Sequence, residues 1–219
     1  MLPTTDHGPR PDRGSARRRP AAAVPALALA ATLALAGHAD AQETPDCSFR
    51  SPASELADRA SPPDSSTLEL GDGTVKVCYG SPRVRGREIF GGLVPYGQPW
   101  RLGANEPTTL HTTVPLSVGG VEVEPGSYSL YAVPGMEEWE IVVNGATDRW
   151  GIPINDAVMQ EDVGTLTAEA MSAAESVESL RITLASSGEG EARMAIAWAM
   201  TRVEVPLRPA DGGMEGEGY

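Results

Sequence analysis

The feature that most constrains this chain is a series of short runs in which every second residue is apolar, each closed by glycine, proline, asparagine or serine. Leu68 and Leu70 alternate with polar neighbours, Gly71-Asp72-Gly73 makes a turn, and Val75, Val77 and Tyr79 alternate again, which predicts a hairpin over residues 66–79. Residues 108–113 are short and β-branched. Residues 114–118 and 121–123 flank Gly119-Gly120, a pair that supplies the positive φ a tight turn needs. In residues 127–133, Tyr128, Leu130 and Ala132 face one way and Ser129 and Tyr131 the other; Trp139, Ile141 and Val143 form the next run. Residues 163–174 read as a strand despite their alanines. Leu180, Ile182 and Leu184, then Met194, Ile196, Trp198 and Met200, then Val203, Val205 and Leu207 complete the pattern. Strands this short, spaced this evenly, predict one all-β domain over residues 66–208, an antiparallel β-sandwich of jelly-roll-like or Greek-key type. Its core should hold Tyr128, Leu130, Trp139, Ile141, Ile182, Leu184, Ile196 and Trp198.

The termini lie outside that pattern. Arg17-Arg18-Arg19 precedes an apolar run over residues 21–36, and Ala39-Asp40-Ala41 has the small-x-small form of a signal-peptidase site, so residues 1–41 read as a leader. The apolar run is shorter than the roughly 20 residues a membrane-crossing helix needs, which predicts export to the periplasm or beyond, with no membrane span after cleavage. Residues 42–65 read as an N-terminal arm with a helix-compatible piece over 54–59 that Ser54 would cap. Residues 209–219 are too polar and glycine-rich to bury anything and are expected to be disordered. Cys47 and Cys78 are the chain's two cysteines, and in an exported protein such a pair is expected to be bonded.

Charge narrows the partners. The chain carries 17 basic and 30 acidic residues; without the leader 12 remain against 27, a net charge of −15. That excludes general nucleic-acid binding, which requires cations to displace the counterions of phosphates. His111 is the one histidine that survives cleavage, so a histidine-based zinc site is excluded, and no metal or cofactor is expected. There is no nucleophile elbow, P-loop, dinucleotide fingerprint or CxxC pair.

Against this acidic background, residues 79–106 carry Arg83, Arg85, Arg87 and Arg101 against Glu88 and Glu106, with six glycines and three prolines. This composition suits neither a helix nor a long strand, so the rest of the fold must hold the stretch. Its polar groups form either an internal ion-pair network or a concave site. A closed network of Arg87, Arg101, Asn105 and Glu106 would make removal of Arg87 strongly destabilising. A site would draw on Arg83, Arg87, Tyr96, Trp100, Arg101, Asn105, Glu106 and His111, with Trp100 or Trp150 as a stacking platform. The function expected from these residues is non-catalytic binding of a small carbohydrate-like or anionic molecule, or of a partner protein. The alternative is a hydrolase-like enzyme with Glu106 and His111 as base and Arg87 or Arg101 as anion stabiliser.

The run SPRVRGREIFGGLVPYGQPWRLGANEPTT, followed by PGSYSLYAVPG, EEWEIVVN and WG, resembles the exported bacterial domain-of-unknown-function family 2911 over residues 46–208. The matching positions are Arg83, Gly86, Arg87, Phe90, Gly91, Val94, Pro95, Tyr96, Gly97, Trp100, Arg101, Gly103, Ala104, Asn105 and Glu106, then Pro125, Gly126, Tyr128, Trp139, Asn144, Trp150 and Gly151. After Trp150 the chain departs from the family pattern with IPINDAVMQEDVG, where relatives have a more basic segment. The resemblance implies an exported, mostly antiparallel β domain and confers no activity.

Overall fold

A computed structural model describes residues 44–210; the leader over 1–41 and all but the first two residues of the expected tail lie outside the described residues. The chain runs α1 (Ala53–Leu56), β1 (Pro63–Leu70), β2 (Gly73–Gly80), β3 (Thr108–Thr112), β4 (Leu116–Val118), β5 (Val121–Val123), β6 (Gly126–Pro134), β7 (Glu138–Asn144), α2 (Asp156–Met159), β8 (Asp162–Gly188) and β9 (Glu191–Pro209). The nine strands hydrogen-bond in the order β1-β2-β3-β6-β7-β8-β9-β4-β5, and every neighbouring pair is antiparallel.

The sheet becomes a sandwich-like fold because its two longest strands change partners along their length. β8 pairs with β7 through Glu169 and with β9 from Ala170 onward, while the far end of β9 pairs with β4. The alternation predicts separate strands at 163–174 and 180–184, and again at 194–200 and 203–207; the structure makes each pair one continuous strand with register shifts inside it. Such bulges bend a strand and raise its twist, which allows one strand to serve two layers. The second half of β8 then returns across β1 and β2 through single contacts. The Ser81 hydroxyl donates to the Leu180 carbonyl, the Leu180 N–H to the Pro82 carbonyl, the Ile182 N–H to the Tyr79 hydroxyl, and the Leu184 N–H to the Ser66 hydroxyl.

The expected core is the observed one. Leu130, Trp139, Ile141, Ile182, Leu184, Ile196 and Trp198 are buried in a single cluster, with Tyr128 packed against it. Cys47 and Cys78 are bonded, with Cα atoms 5.7 Å apart, and tie the arm to β2. The arm itself is less helical than expected. α1 is one turn, starts after Pro52, and has no side-chain cap, so Ser54 does not serve as one. At the other end Pro209 still belongs to β9, and the Ala210 N–H donates to the Pro115 carbonyl.

Two expected outcomes test this packing. Ile196→Ala opens a cavity in the main cluster and is expected to cost about 2–5 kcal/mol in a urea melt. Ala199, between the first two of the three register shifts of the β8–β9 pair, has φ 51°, a left-handed conformation that a Cβ disfavours. Ala199→Gly is expected to stabilise by roughly 0.5–1 kcal/mol, as a midpoint shift at unchanged slope.

Candidate functional site

The arginine-rich stretch is anchored at both ends and extruded in the middle. Around Trp100 the chain pairs with β6: the Trp100 N–H donates to the Ala132 carbonyl at 2.7 Å and the Ala132 N–H returns to the Trp100 carbonyl at 2.8 Å. Further along, β3 pairs with β6 from Leu130 to Gly126. Residues 101–107 are therefore pushed out between two segments that both pair with β6. That excursion requires unusual backbone: Leu102 and Asn105 have φ of 55° and 65°, and Leu102 is fully buried. Strain of this kind persists only where surrounding structure enforces it. Here the enforcement comes from aromatic packing. Trp100 stacks on Trp198 at 15° and 5.8 Å between centroids, meets Trp139 edge-on at 5.8 Å, and Phe90 contacts all three indoles.

The extruded loop separates two clefts. One, of about 300 Å³, is lined by Arg87, Leu93, Pro99, Trp100, Arg101, Ile152 and the buried Trp198, among others. The other, of about 230 Å³, lies between the N-terminal arm and β3 and is lined by Arg50, Glu106, Thr109, His111, Ser127 and Arg149, among others. The eight residues expected to share one site are thus distributed. Arg87, Trp100 and Arg101 line the first cleft; Glu106 and His111 line the second. Tyr96 is exposed and borders a separate hollow of about 110 Å³ beside Phe90 and Met136. Arg83 is exposed, and Asn105 donates to the Ser61 carbonyl at 3.1 Å, holding the arm.

The closed network of Arg87, Arg101, Asn105 and Glu106 is not formed. Glu106 is paired with Arg59, through two hydrogen bonds of 2.7 and 2.8 Å, and its Oε1 also accepts from the Arg50 N–H at 2.8 Å. Burial pushes the Glu106 carboxyl up, but the Arg59 fork and the backbone donors outweigh it and hold it below the usual carboxylate range. Arg87 is exposed and donates to the carbonyls of Arg83 and Val84 in its own turn. The Arg101 guanidinium is half-buried; among the described residues it donates only from Nε, to the Gly103 carbonyl at 3.3 Å, and has no carboxylate within ion-pair distance. Burial lowers its pKa, and the field of nearby Glu106 offsets this in part.

The second cleft is more self-satisfied. The His111 ring is buried and bonded at both ends by hydroxyls, Nε2 to Thr109 at 3.1 Å and Nδ1 to Ser127 at 2.7 Å. Burial and the neighbouring Lys76 depress its pKa, so it is neutral at pH 7. Arg50 is drawn to Asp148 at 2.7 Å and lies 6.0 Å over the Trp150 ring. Arg149 donates to the Ala146, Trp150 and Gly151 carbonyls and the Ser129 hydroxyl. No three His, Cys, Asp or Glu side chains converge to hold a metal ion among the described residues.

The loop after β7 contributes Ile152 to the first cleft and Thr147, Asp148 and Arg149 to the second, and buried Asn144 organises it. Its Nδ2 donates to the Val158 carbonyl and Asp162 Oδ1 at 2.6 and 2.8 Å, and its Oδ1 accepts from the Ala146 N–H at 2.9 Å. Gly151 then passes so close that a Cβ there would lie 2.5 Å from Arg101 Cδ and 2.7 Å from the Asn105 carbonyl oxygen. Ile152 continues from it to the cleft. The sequence reading did not find Arg50, Arg59, Leu93, Ile152 or Trp198 as site residues. The arm arginines have no motif around them, and Trp198 carries the same period-two signal as any core residue.

Two measurements test this arrangement. Glu106→Gln removes the charge partner of Arg59, a side chain only 12% exposed, and is expected to cost about 3 kcal/mol in urea. The pH dependence has two windows, because Glu106 and His111 both have depressed folded pKa values. Stability should fall first as pH drops below about 6.5, where an unfolded histidine takes up a proton that buried His111 resists. It should fall again below about 4.3, as Glu106 protonates and releases Arg59. His111→Gln is expected to flatten the first window and leave the second.

No curated protein and no solved structure matches the chain. The family described as Protein of unknown function (DUF2911) matches residues 61–207, which include both strand-paired anchors, the extruded loop and the loop after β7, and the chain belongs to that family.

Proposed function

We propose that this is an exported, non-catalytic binding module for a small anionic molecule, seated in the cleft of about 300 Å³ beside the extruded loop. One observation carries the reading: Arg101 presents a half-buried guanidinium to that cleft with no carboxylate partner among the described residues. A buried cation is costly unless something neutralises it, and an anionic ligand would do so with charge-assisted hydrogen bonds. Arg87, exposed at the same cleft and also free of an ion pair among the described residues, adds a second cation. The strained backbone at Leu102 and Ala199, each next to a cleft-lining residue, gives further support. Export is supported by the Cys47–Cys78 disulfide and by the leader pattern; no helix among the described residues is long and apolar enough to cross a membrane.

The hydrolase-like alternative draws less support. Both Glu106 oxygens are occupied by Arg59 and Arg50, His111 is bonded by two hydroxyls, and Arg87 and Arg101 line the other cleft. A general base must take up a proton readily near the operating pH, and the Arg59 pair and the Arg50 N–H hold the Glu106 carboxyl below the usual carboxylate range.

The test is a thermal-shift screen of the secreted protein with sulfate, phosphate, citrate and small organic carboxylates, repeated on Arg101→Met, which keeps the aliphatic stem against Gly151. At a hundredfold excess over Kd a ligand should stabilise the parent by about 2.7 kcal/mol, and Arg101→Met should lose that response. The variant without ligand is expected to lie within about 0.5 kcal/mol of the parent, since no ion pair is broken. A response that survives in Arg101→Met would place the anion elsewhere.

A further inference from the structure

The composition of the cleft wall narrows the anion to a class. Leu93 and Ile152 are 48% and 59% exposed, both large apolar side chains, and both line this cleft together with Pro99 and Trp100. Its charged lining residues are Arg87 and Arg101, and Ser61 is its one neutral hydroxyl residue; among the described residues no Asp, Glu, Asn, Gln or His lines it. Arginine donates and cannot accept. A sugar or sugar acid displays many hydroxyls, each of which needs an acceptor as well as a donor, and here those acceptors would have to be backbone carbonyls and one serine.

From this we infer that the cleft takes an organic carboxylate with an apolar body, its carboxylate on Arg101 and Arg87 and its body against Trp100, Leu93 and Ile152. The inference rests on the anion-binding reading above and replaces a carbohydrate-like ligand with an amphipathic one. The two guanidiniums satisfy a group that only accepts. The apolar rim explains why Leu93 and Ile152 stand in solvent at a cleft mouth instead of in the core. At about 300 Å³ the cleft sits at the lower end of ligand pockets, which suits a body the size of one aromatic ring or a short alkyl chain.

Four probes separate the contributions: 3-phenylpropionate (charge and apolar body), 3-phenylpropanol (the same body without charge), acetate (charge without body) and glucuronate (charge with a polar body). Affinities are read by calorimetry and by tryptophan fluorescence, since Trp100 and Trp198 line the cleft. Phenylpropionate is expected to bind at least tenfold more tightly than each of the other three. Arg101→Met should weaken it tenfold or more. Leu93→Ser and Ile152→Ser, at exposed positions where folding is insensitive, should each weaken phenylpropionate several-fold and leave acetate unchanged. Glucuronate or phosphate binding as tightly as phenylpropionate, in an Arg101-dependent manner, would overturn the amphipathic class and leave the anion site standing. Phenylpropanol binding as tightly as phenylpropionate would show that charge is unused and overturn the inference. If no probe and no inorganic anion responds to Arg101→Met, both this inference and the anion-binding reading fall together.

Discussion

The packing of Trp100 against Trp198, Trp139 and Phe90 is the contact on which the rest of the site depends. A segment with six glycines and three prolines has little conformational preference of its own, and ordering it costs more backbone entropy than ordering a typical strand. Three indoles and a phenyl ring, from the stretch itself, β7 and β9, bury apolar surface in one place and offset part of that cost. With Trp100 held by the core and by its two hydrogen bonds to Ala132, the next seven residues leave the β6 ladder before the chain rejoins it at β3. The left-handed turns at Leu102 and Asn105 lie within that excursion.

The charges on this loop end in different situations because its two sides face different surroundings. Glu106 meets the arm, where Arg59 and the Arg50 N–H complete its hydrogen bonds, and the disulfide at Cys47 keeps the arm in place. Arg101 faces the loop after β7, whose nearest element is Gly151, a residue with no side chain to offer. One end of the loop is thus a finished structural ion pair and the other an unfinished one. A buried pair that lost one member would be strongly destabilising, whereas a half-buried arginine that never had a partner is tolerated because part of its guanidinium still reaches water. That asymmetry lies within six consecutive residues, Arg101 to Glu106.

Much of the architecture was determined by the sequence alone. The period-two alternation at Leu130, Ile141, Ile182 and Ile196 specified strands and their inward faces, because a strand has only two sides and one must be apolar. Gly119-Gly120 and Gly71-Asp72-Gly73 specified hairpins by the positive φ they allow, and two cysteines in a chain with a leader-like start specified one bond. Single-residue alternation does not report whether a bulge ends a strand or bends it, so the continuity of β8 and β9 was not legible. The partners of the charged residues were decided only by tertiary structure. Arg59 and Glu106 are 47 residues apart with no motif between them, and which arginine reaches that carboxylate depends on where the disulfide and β1 bring the arm. The division of the arginine-rich stretch between two clefts has the same origin: periodicity assigns a side chain to a face, while a cleft is made by segments that meet only when the sheet has folded over on itself.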